Sequence, residues 1–355
     1  MTRARNSPGE DAMNPKMNPT TENPRLEALK DPKAREIFEL VRPELALVEE
    51  ELRRQSVSTV QAITEIGQYL QSSGGKRLRP ALVVLASKLC GYEGAAAIRL
   101  GAVVELIHTA TLVHDDIIDE AGLRRGRPST NSRWGNHTSV LAGDWLYMQA
   151  FNIALAERNF RILDILIGVT QVMVEGELIQ MGQLKRIDLN EDDYLELAYR
   201  KTACLFSACL RMGALLGGMG EEYEIRLGSF GANLGLAFQV IDDILDFTSS
   251  EELLGKPIGS DLREGKVTLP LIYLLPQCRP EEAERIALVL QEGGFQSVQF
   301  SEISEMIDRY EVLDAARAKA RHFAKLAQSS LVGFPDSPYK DALQSLAQFT
   351  VERQF

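Results

Sequence analysis

From Ala34 onward, apolar side chains recur at three- and four-residue intervals, the period of helices with one face turned inward. The pattern breaks at glycine, proline or short polar runs. These breaks predict helices over 35–54, 57–72, 80–90, 93–119, 138–156, 160–183, 191–217, 221–246, 265–275, 281–292, 300–310, 312–331 and 338–351, with Ser56 capping the second. Alternating β-branched runs barely occur, so the expected fold class is all-α. No composition break interrupts 34–355, which predicts a single large helical domain. Residues 1–33 are polar, punctuated by Pro8, Pro15, Pro19, Pro24 and Pro32, and are expected to form a flexible tail.

Two stretches violate the apolar pattern in the same way. One reads His114-Asp115-Asp116-Ile117-Ile118-Asp119, the other Gln239-Val240-Ile241-Asp242-Asp243-Ile244-Leu245-Asp246. Side chains four apart share a helix face, so Asp115 stacks on Asp119 and Asp242 on Asp246. Like charges at that spacing weaken a helix by about 0.2–0.5 kcal/mol, and burial without a partner costs far more. A single acidic triplet is ordinarily a solvated helix end. The same spacing twice, framed by aliphatics both times, instead predicts two helices facing one cavity with a cation between them. Oxygen-only ligands in small number point to Mg2+, with Asp115, Asp116, Asp119, Asp242, Asp243 and Asp246 as candidate ligands.

Basic residues cluster beside these turns. Lys76 and Arg79 follow a double glycine at a predicted helix start, where free N–H groups attract anions. Arg124 and Arg125 follow the first acidic turn, Lys256 and Lys266 flank a glycine-containing loop after the second, and Lys201-Thr202 lies within a helix. Arg forks and Lys point charges suit polyanions. His108 precedes Asp115 by two turns and shares its face. Glu105-x-x-His108 matches half of a di-iron motif, but His114, His137 and His322 lack a Glu three residues before them, which excludes that site. Nucleophile-elbow, phosphate-loop and dinucleotide motifs are absent. Metal carboxylates, anion clamps and an apolar wall suit departure of a diphosphate from a carbocation kept dry.

Charge narrows the alternatives. A net charge of −11 and a pI near 5.1 argue against nucleic acid as a partner. Cys90, Cys204, Cys209 and Cys278 form no C-x-x-C pair, which fits a reducing compartment. With neither a secretory signal nor an apolar run of roughly 20 residues, the expectation is a cytoplasmic protein without a transmembrane segment.

Residues from about 35 to 355 resemble the trans-isoprenyl (polyprenyl) diphosphate synthases. The resemblance lies in Gly74-Gly75-Lys76-Arg77-Leu78-Arg79-Pro80, the run from Glu105 to Asp119, Leu123-Arg124-Arg125-Gly126-Arg127-Pro128, Lys201-Thr202, Phe238 to Asp246, and Gly255 to Leu262. Arg127 stands where Lys is common, with charge kept. The resemblance implies a homodimer of all-α subunits, each around a central cavity. It implies that Asp115, Asp119 and Asp242 hold Mg2+ against an allylic diphosphate (farnesyl or geranylgeranyl). Arg124, Lys201, Thr202, Gln239, Lys256 and Lys266 would contact that diphosphate, and Lys76, Arg79, His108 and Arg125 would hold isopentenyl diphosphate. The implied chemistry is ionisation, attack by the isopentenyl double bond, then loss of a proton.

In such enzymes, bulk below the first acidic turn sets product length. Ala110 and Thr111 are small here, leaving Ile107 and Val103 as the next floor, or Met173 and Met181 on another helix. This favours a long chain of the sort that supplies quinone side chains. The competing readings are a farnesyl or geranylgeranyl synthase, a terpene cyclase (which usually lacks the second aspartate motif), and a non-catalytic partner subunit.

Overall fold

The computed structural model describes residues 32–72, 74–249 and 258–353. Lys256 and the expected tail up to residue 31 lie outside the described residues, and helix already begins at Pro32, inside the predicted tail. The elements are α1 Pro32–Glu39, α2 Arg42–Gln55, α3 Gln61–Ser72, α4 Leu78–Leu89, α5 Ala96–Ile118, β1 Leu123–Arg124, β2 Arg127–Pro128, α6 Thr130–Trp134, α7 Asn136–Ala156, α8 Phe160–Gln183 and α9 Glu191–Ala198. A π-helical turn follows at Tyr199–Ala203, then α10 Cys204–Leu216, α11 Glu221–Thr248, α12 Ser260–Arg263, α13 Leu269–Leu274, α14 Pro280–Glu292, α15 Phe300–Arg309, α16 Val312–Ser330 and α17 Pro338–Glu352.

Differences from the sequence expectation have local causes. The helix expected over 35–54 divides at residues 40–41 because Pro43 has no N–H and belongs in a first turn. Ser56 caps the end of α2 rather than the start of α3, and its Oγ donates to the Leu52 carbonyl at 2.8 Å. The segment expected over 265–275 is helical only at α13, because Gly265 (φ +79°) turns the chain and Pro270 belongs in a first turn. The basic loop after the first acidic turn is a tight hairpin pairing Leu123 with Pro128 and Arg124 with Arg127. Its two loop residues, Arg125 and Gly126, both have positive φ, which matches the twist of the flanking strands.

The long helices α5 and α11 organise the packing. α5 is embedded among α2, α4 and α7, and α11 lies against α10 and α16. One apolar cluster is built largely from α1, α2, α4, α5, α7, α8 and α10, and the other from α9, α13–α16 and the second half of α11. α11 joins them, giving Leu227, Phe230 and Leu234 to the first and Val240, Ile241 and Ile244 to the second. α5 is the one described helix long and apolar enough to cross a membrane, which corrects the expectation that no such run exists. Most of it is buried in the bundle, as a core helix requires.

Candidate active site

The C-terminal ends of α5 and α11 bring the two acidic turns to the same end of the bundle. A cavity of about 240 Å³ lies between α5, α8, α9 and α11 and is lined by Arg79, His108, Thr111, Asp115, Lys201, Thr202, Gln239, Asp243 and Lys266. A second cavity, of about 340 Å³, shares Thr111, Asp115 and Lys201 with the first and continues past His114, Ile118, Tyr147, Met173 and Val174. The second space is the more apolar of the two, although Asp144 and Glu177 also line it.

The π-turn sets the polar end. A π-turn widens the helix by one residue, and such turns recur at functional sites. It is wedged between α8 and α11, where only glycine fits. A Cβ on Gly235 would sit 2.5 Å from the Ala203 Cα, and one on Gly176 would sit 2.8 Å from the Arg200 Cβ. Gly235→Ala should destabilise the fold by about 1–3 kcal/mol and displace Lys201 and Thr202 from the cavity, so melting temperature and turnover fall together. A melting temperature matching the wild type would contradict this packing.

The six aspartates do not act alike. Asp115 faces both cavities, and burial pushes its carboxyl up to about 7, with Lys201 opposing and Glu177 and Asp119 adding to the rise. Asp119 ends α5 and accepts from Lys266 Nζ at 3.1 Å. Asp242 is half exposed and pairs with Arg353. The others serve the walls. Asp116 is buried and accepts from Arg124 Nε at 2.5 Å, and its backbone carbonyl accepts from Asn131 at 3.1 Å. Asp243 is buried and accepts from Tyr194 and Gln239. Asp246 accepts the Asp261 N–H at 3.1 Å, fixing the start of α12. Among the described residues no three His, Cys, Asp or Glu side chains converge closely enough to enclose an ion. The oxygen-only set therefore fits a cation that completes its shell with water and substrate phosphate, as Mg2+ does, and does not fit a closed protein cage.

The cations also sort by position. Lys201 Nζ donates to Gln180 at 2.8 Å and lies 2.6 Å from Glu177. Burial pulls the Lys266 ammonium down, but Glu264 and Asp119 face it and hold it above its usual range. Arg79 is half-buried over the Phe206 ring, and its buried Nε has no partner among the described residues. Such an atom fits an absent anion. Burial, then the Arg79 and Arg125 charges, push His108 well below its usual range, so its ring is neutral at pH 7. Lys76 is solvent-exposed, yet partial desolvation and then the Arg353 charge lower it, with Asp242 opposing. Arg125 donates to the Gly74 carbonyl. Thr202 Oγ1 donates to Gln239 at 2.7 Å. Of the expected floor, only Thr111 lines the cavities, whereas Ala110, Ile107 and Val103 are fully buried in the core. Met173 lines the second cavity, and Met181 is exposed.

Several site residues escaped the sequence reading. Arg77 takes a left-handed conformation (φ 52°) and is held by Glu49 at 2.5 Å and by Glu105. Arg353 packs its guanidinium 3.9 Å from the Phe238 ring centre and donates to the Phe238 carbonyl and Asp242. Nothing local marks Arg353, because its role depends on the chain end returning to α11. Gln180 is one of three glutamines in α8, with Gln171 and Gln183, and its position alone does not single it out.

Comparison with known proteins agrees with this geometry. Residues 60–307 match the model of the polyprenyl synthetase family. The chain is 38% identical over 317 residues to octaprenyl diphosphate synthase of Escherichia coli, covering 89% of this chain and 98% of that one. It is 37% identical over 305 residues to geranylgeranyl diphosphate synthase of Sulfolobus acidocaldarius, covering 83% and 92%. A crystal structure of polyprenyl synthase from Caulobacter crescentus, complexed with calcium and isoprenyl diphosphate, superposes with a TM-score of 0.87 at 36% identity, covering 91% of this chain and 98% of that one. The chain belongs to the polyprenyl synthetase family. It is an all-α prenyltransferase of the kind that joins isopentenyl diphosphate to an allylic diphosphate.

Proposed function

We propose that this enzyme uses Mg2+ to extend farnesyl or geranylgeranyl diphosphate with isopentenyl diphosphate units into a long all-trans polyprenyl diphosphate. The observation that carries the reading is the pair of neighbouring cavities that share Thr111, Asp115 and Lys201, one holding Arg79, Lys201 and Lys266 and the other continuing along Ile118, Val140, Tyr147, Met173 and Val174. Similarity alone leaves length open, because a geranylgeranyl synthase is about as similar as an octaprenyl synthase. The second cavity supports the long product, since a growing tail finds space beyond Thr111 as far as Tyr147 and Met173.

Asp115, Asp119 and Asp242 would hold Mg2+, and the calcium in the Caulobacter complex supports binding of a divalent ion. Bound Mg2+ supplies positive charge for the departing diphosphate. Lys201 and Lys266 face the same space as point charges, with Lys256 assigned beside them from sequence. Arg124, steadied by Asp116, is assigned to the same diphosphate. Arg79, Lys76, Arg125 and neutral His108 would take isopentenyl diphosphate, which needs no metal there. Leu112, Leu184 and Leu197 keep water from the cationic carbon.

The partner we propose is a second copy of the chain. On α7, Leu141, Met148 and Leu155 are exposed at seven-residue intervals, as are Phe160, Ile167 and Val174 on α8. So large an apolar face on neighbouring helices calls for a cover. We take 32–353 as one folded unit and the cytoplasm as its compartment, which suits four cysteines without disulfides.

The test is a product assay with Mg2+, labelled isopentenyl diphosphate and farnesyl diphosphate, followed by dephosphorylation and chromatography. Products beyond four isoprene units are expected. Products ending at three or four would keep the chemistry and remove the long-chain assignment.

A further inference from the structure

We infer that Tyr194 and Asp243 are positioning residues that fix the polarity of Gln239 and Thr202 at the reacting end of the cavity, and that Asp243 does this instead of holding the metal. The inference rests on the prenyl-transfer reading of the site. Asp242 and Asp243 are neighbours on α11, yet helical geometry turns them about 100° apart. Asp242 looks out toward Arg353, whereas Asp243 is 3% exposed and looks toward α9. There Tyr194 donates its hydroxyl to Asp243 Oδ2 at 2.6 Å, and Gln239 Nε2 donates to Oδ1 at 2.8 Å. Both carboxylate oxygens are therefore engaged by donors, one from each side.

The consequence passes along the chain of hydrogen bonds. With its nitrogen committed to Asp243, Gln239 presents its Oε1 to the π-turn, and Thr202 Oγ1 donates to it at 2.7 Å. Thr202 has one hydroxyl hydrogen, and it is spent on Gln239. The cavity then meets lone pairs at Thr202. Diphosphate only accepts hydrogen bonds, so this oxygen offers it nothing. What lone pairs favour is positive charge, which appears at the allylic carbon on ionisation. Interactions made only in the transition state alter kcat and leave substrate binding alone. Asp243→Asn would replace one of two acceptors with a donor, so either Tyr194 loses its acceptor or the Gln239 amide turns over and the Thr202 hydrogen points into the cavity. Tyr194→Phe removes one oxygen and leaves Asp243 held from one side.

The experiment compares wild type, Tyr194→Phe, Asp243→Asn and Asp242→Asn in two measurements. One is Mn2+ affinity by electron paramagnetic resonance in the presence of a non-ionising allylic diphosphate analogue. The other is steady-state kinetics with the allylic substrate varied. For Asp243→Asn we expect kcat to fall about 100-fold, with allylic KM and Mn2+ affinity within about twofold of wild type. For Tyr194→Phe the expected fall is about tenfold, again in kcat alone. Tyr194→Phe should add little to Thr202→Val, because both act through one chain. Loss of Mn2+ affinity in Asp243→Asn matching that in Asp242→Asn would overturn the inference by making Asp243 a ligand. An unchanged kcat in Tyr194→Phe would overturn the positioning role, and that nearly isosteric variant decides the matter alone if Asp243→Asn does not fold. Failure of the underlying reading would show separately, as absent elongation by the wild-type enzyme.

Discussion

Asp115→Ala and Asp242→Ala are each expected to lower Mg2+-dependent elongation by about 10²- to 10³-fold while the protein stays folded. Asp115 lines both cavities, Asp242 is half exposed beside Arg353, and neither carboxylate accepts a backbone N–H that fixes a helix start. Asp246→Ala should behave differently, because that side chain anchors the backbone at Asp261, and its loss should lower the melting temperature. Steady-state rates with melting curves separate the two patterns. Undiminished turnover in either of the first variants would remove the metal from that carboxylate. Asp115 also carries a stability signature. Its ordinary value is 3.8 and burial raises it to about 7, so the metal-free folded state binds the extra proton in that window. Stability therefore declines as pH rises through it. Asp115→Asn, which cannot ionise, should match wild type near pH 4 and exceed it at pH 8 by at most about 4 kcal/mol, less where water reaches the carboxylate.

The second large effect is on product length. Thr111→Phe should shift products to shorter chains with initial rates largely kept, and Tyr147→Ala should shift them to longer ones. Thr111 sits where the two cavities join, and it is not packed in the core, so a ring there can occupy the tail's path. Tyr147, on α7, forms part of the second cavity's wall, its ring 5.8 Å from that of His114. Ala110 is fully buried, and a ring there must first displace core side chains. Chromatography of dephosphorylated products reads the outcome. If neither Thr111→Phe nor Tyr147→Ala alters the distribution, the tail does not use the second cavity.

The legible part of the chain was periodic or repeated. Helix positions along α14–α17 followed from apolar spacing, because each of these helices turns one face inward. Those of α7 and α8, apolar on both faces, followed from the breaks at their ends. The acidic turns were visible as charge inside apolar helices, twice over. What spacing could not resolve was direction. Asp242 and Asp243 look equivalent in sequence and differ only once α9 supplies Tyr194 and the chain end supplies Arg353. The π-turn was equally hidden, since Gly176 and Gly235 read as helix-weakening residues until the close packing of α8, α11 and the turn is seen. The expected floor residues separate for a similar reason. Ala110 and Thr111 are adjacent and both small, but about 100° of helical rotation turns one into the core and leaves the other at the cavity.

Central to the account is a metal held jointly by two aspartate faces and the substrate's phosphates, with no preformed protein cage. Titrating Mn2+ into the wild-type protein with and without a non-ionising allylic diphosphate analogue tests it most directly. The account predicts weak binding to the protein alone and a gain of about 100-fold with the analogue, since coupling between two ligands is reciprocal. Equal affinity in both conditions would contradict it.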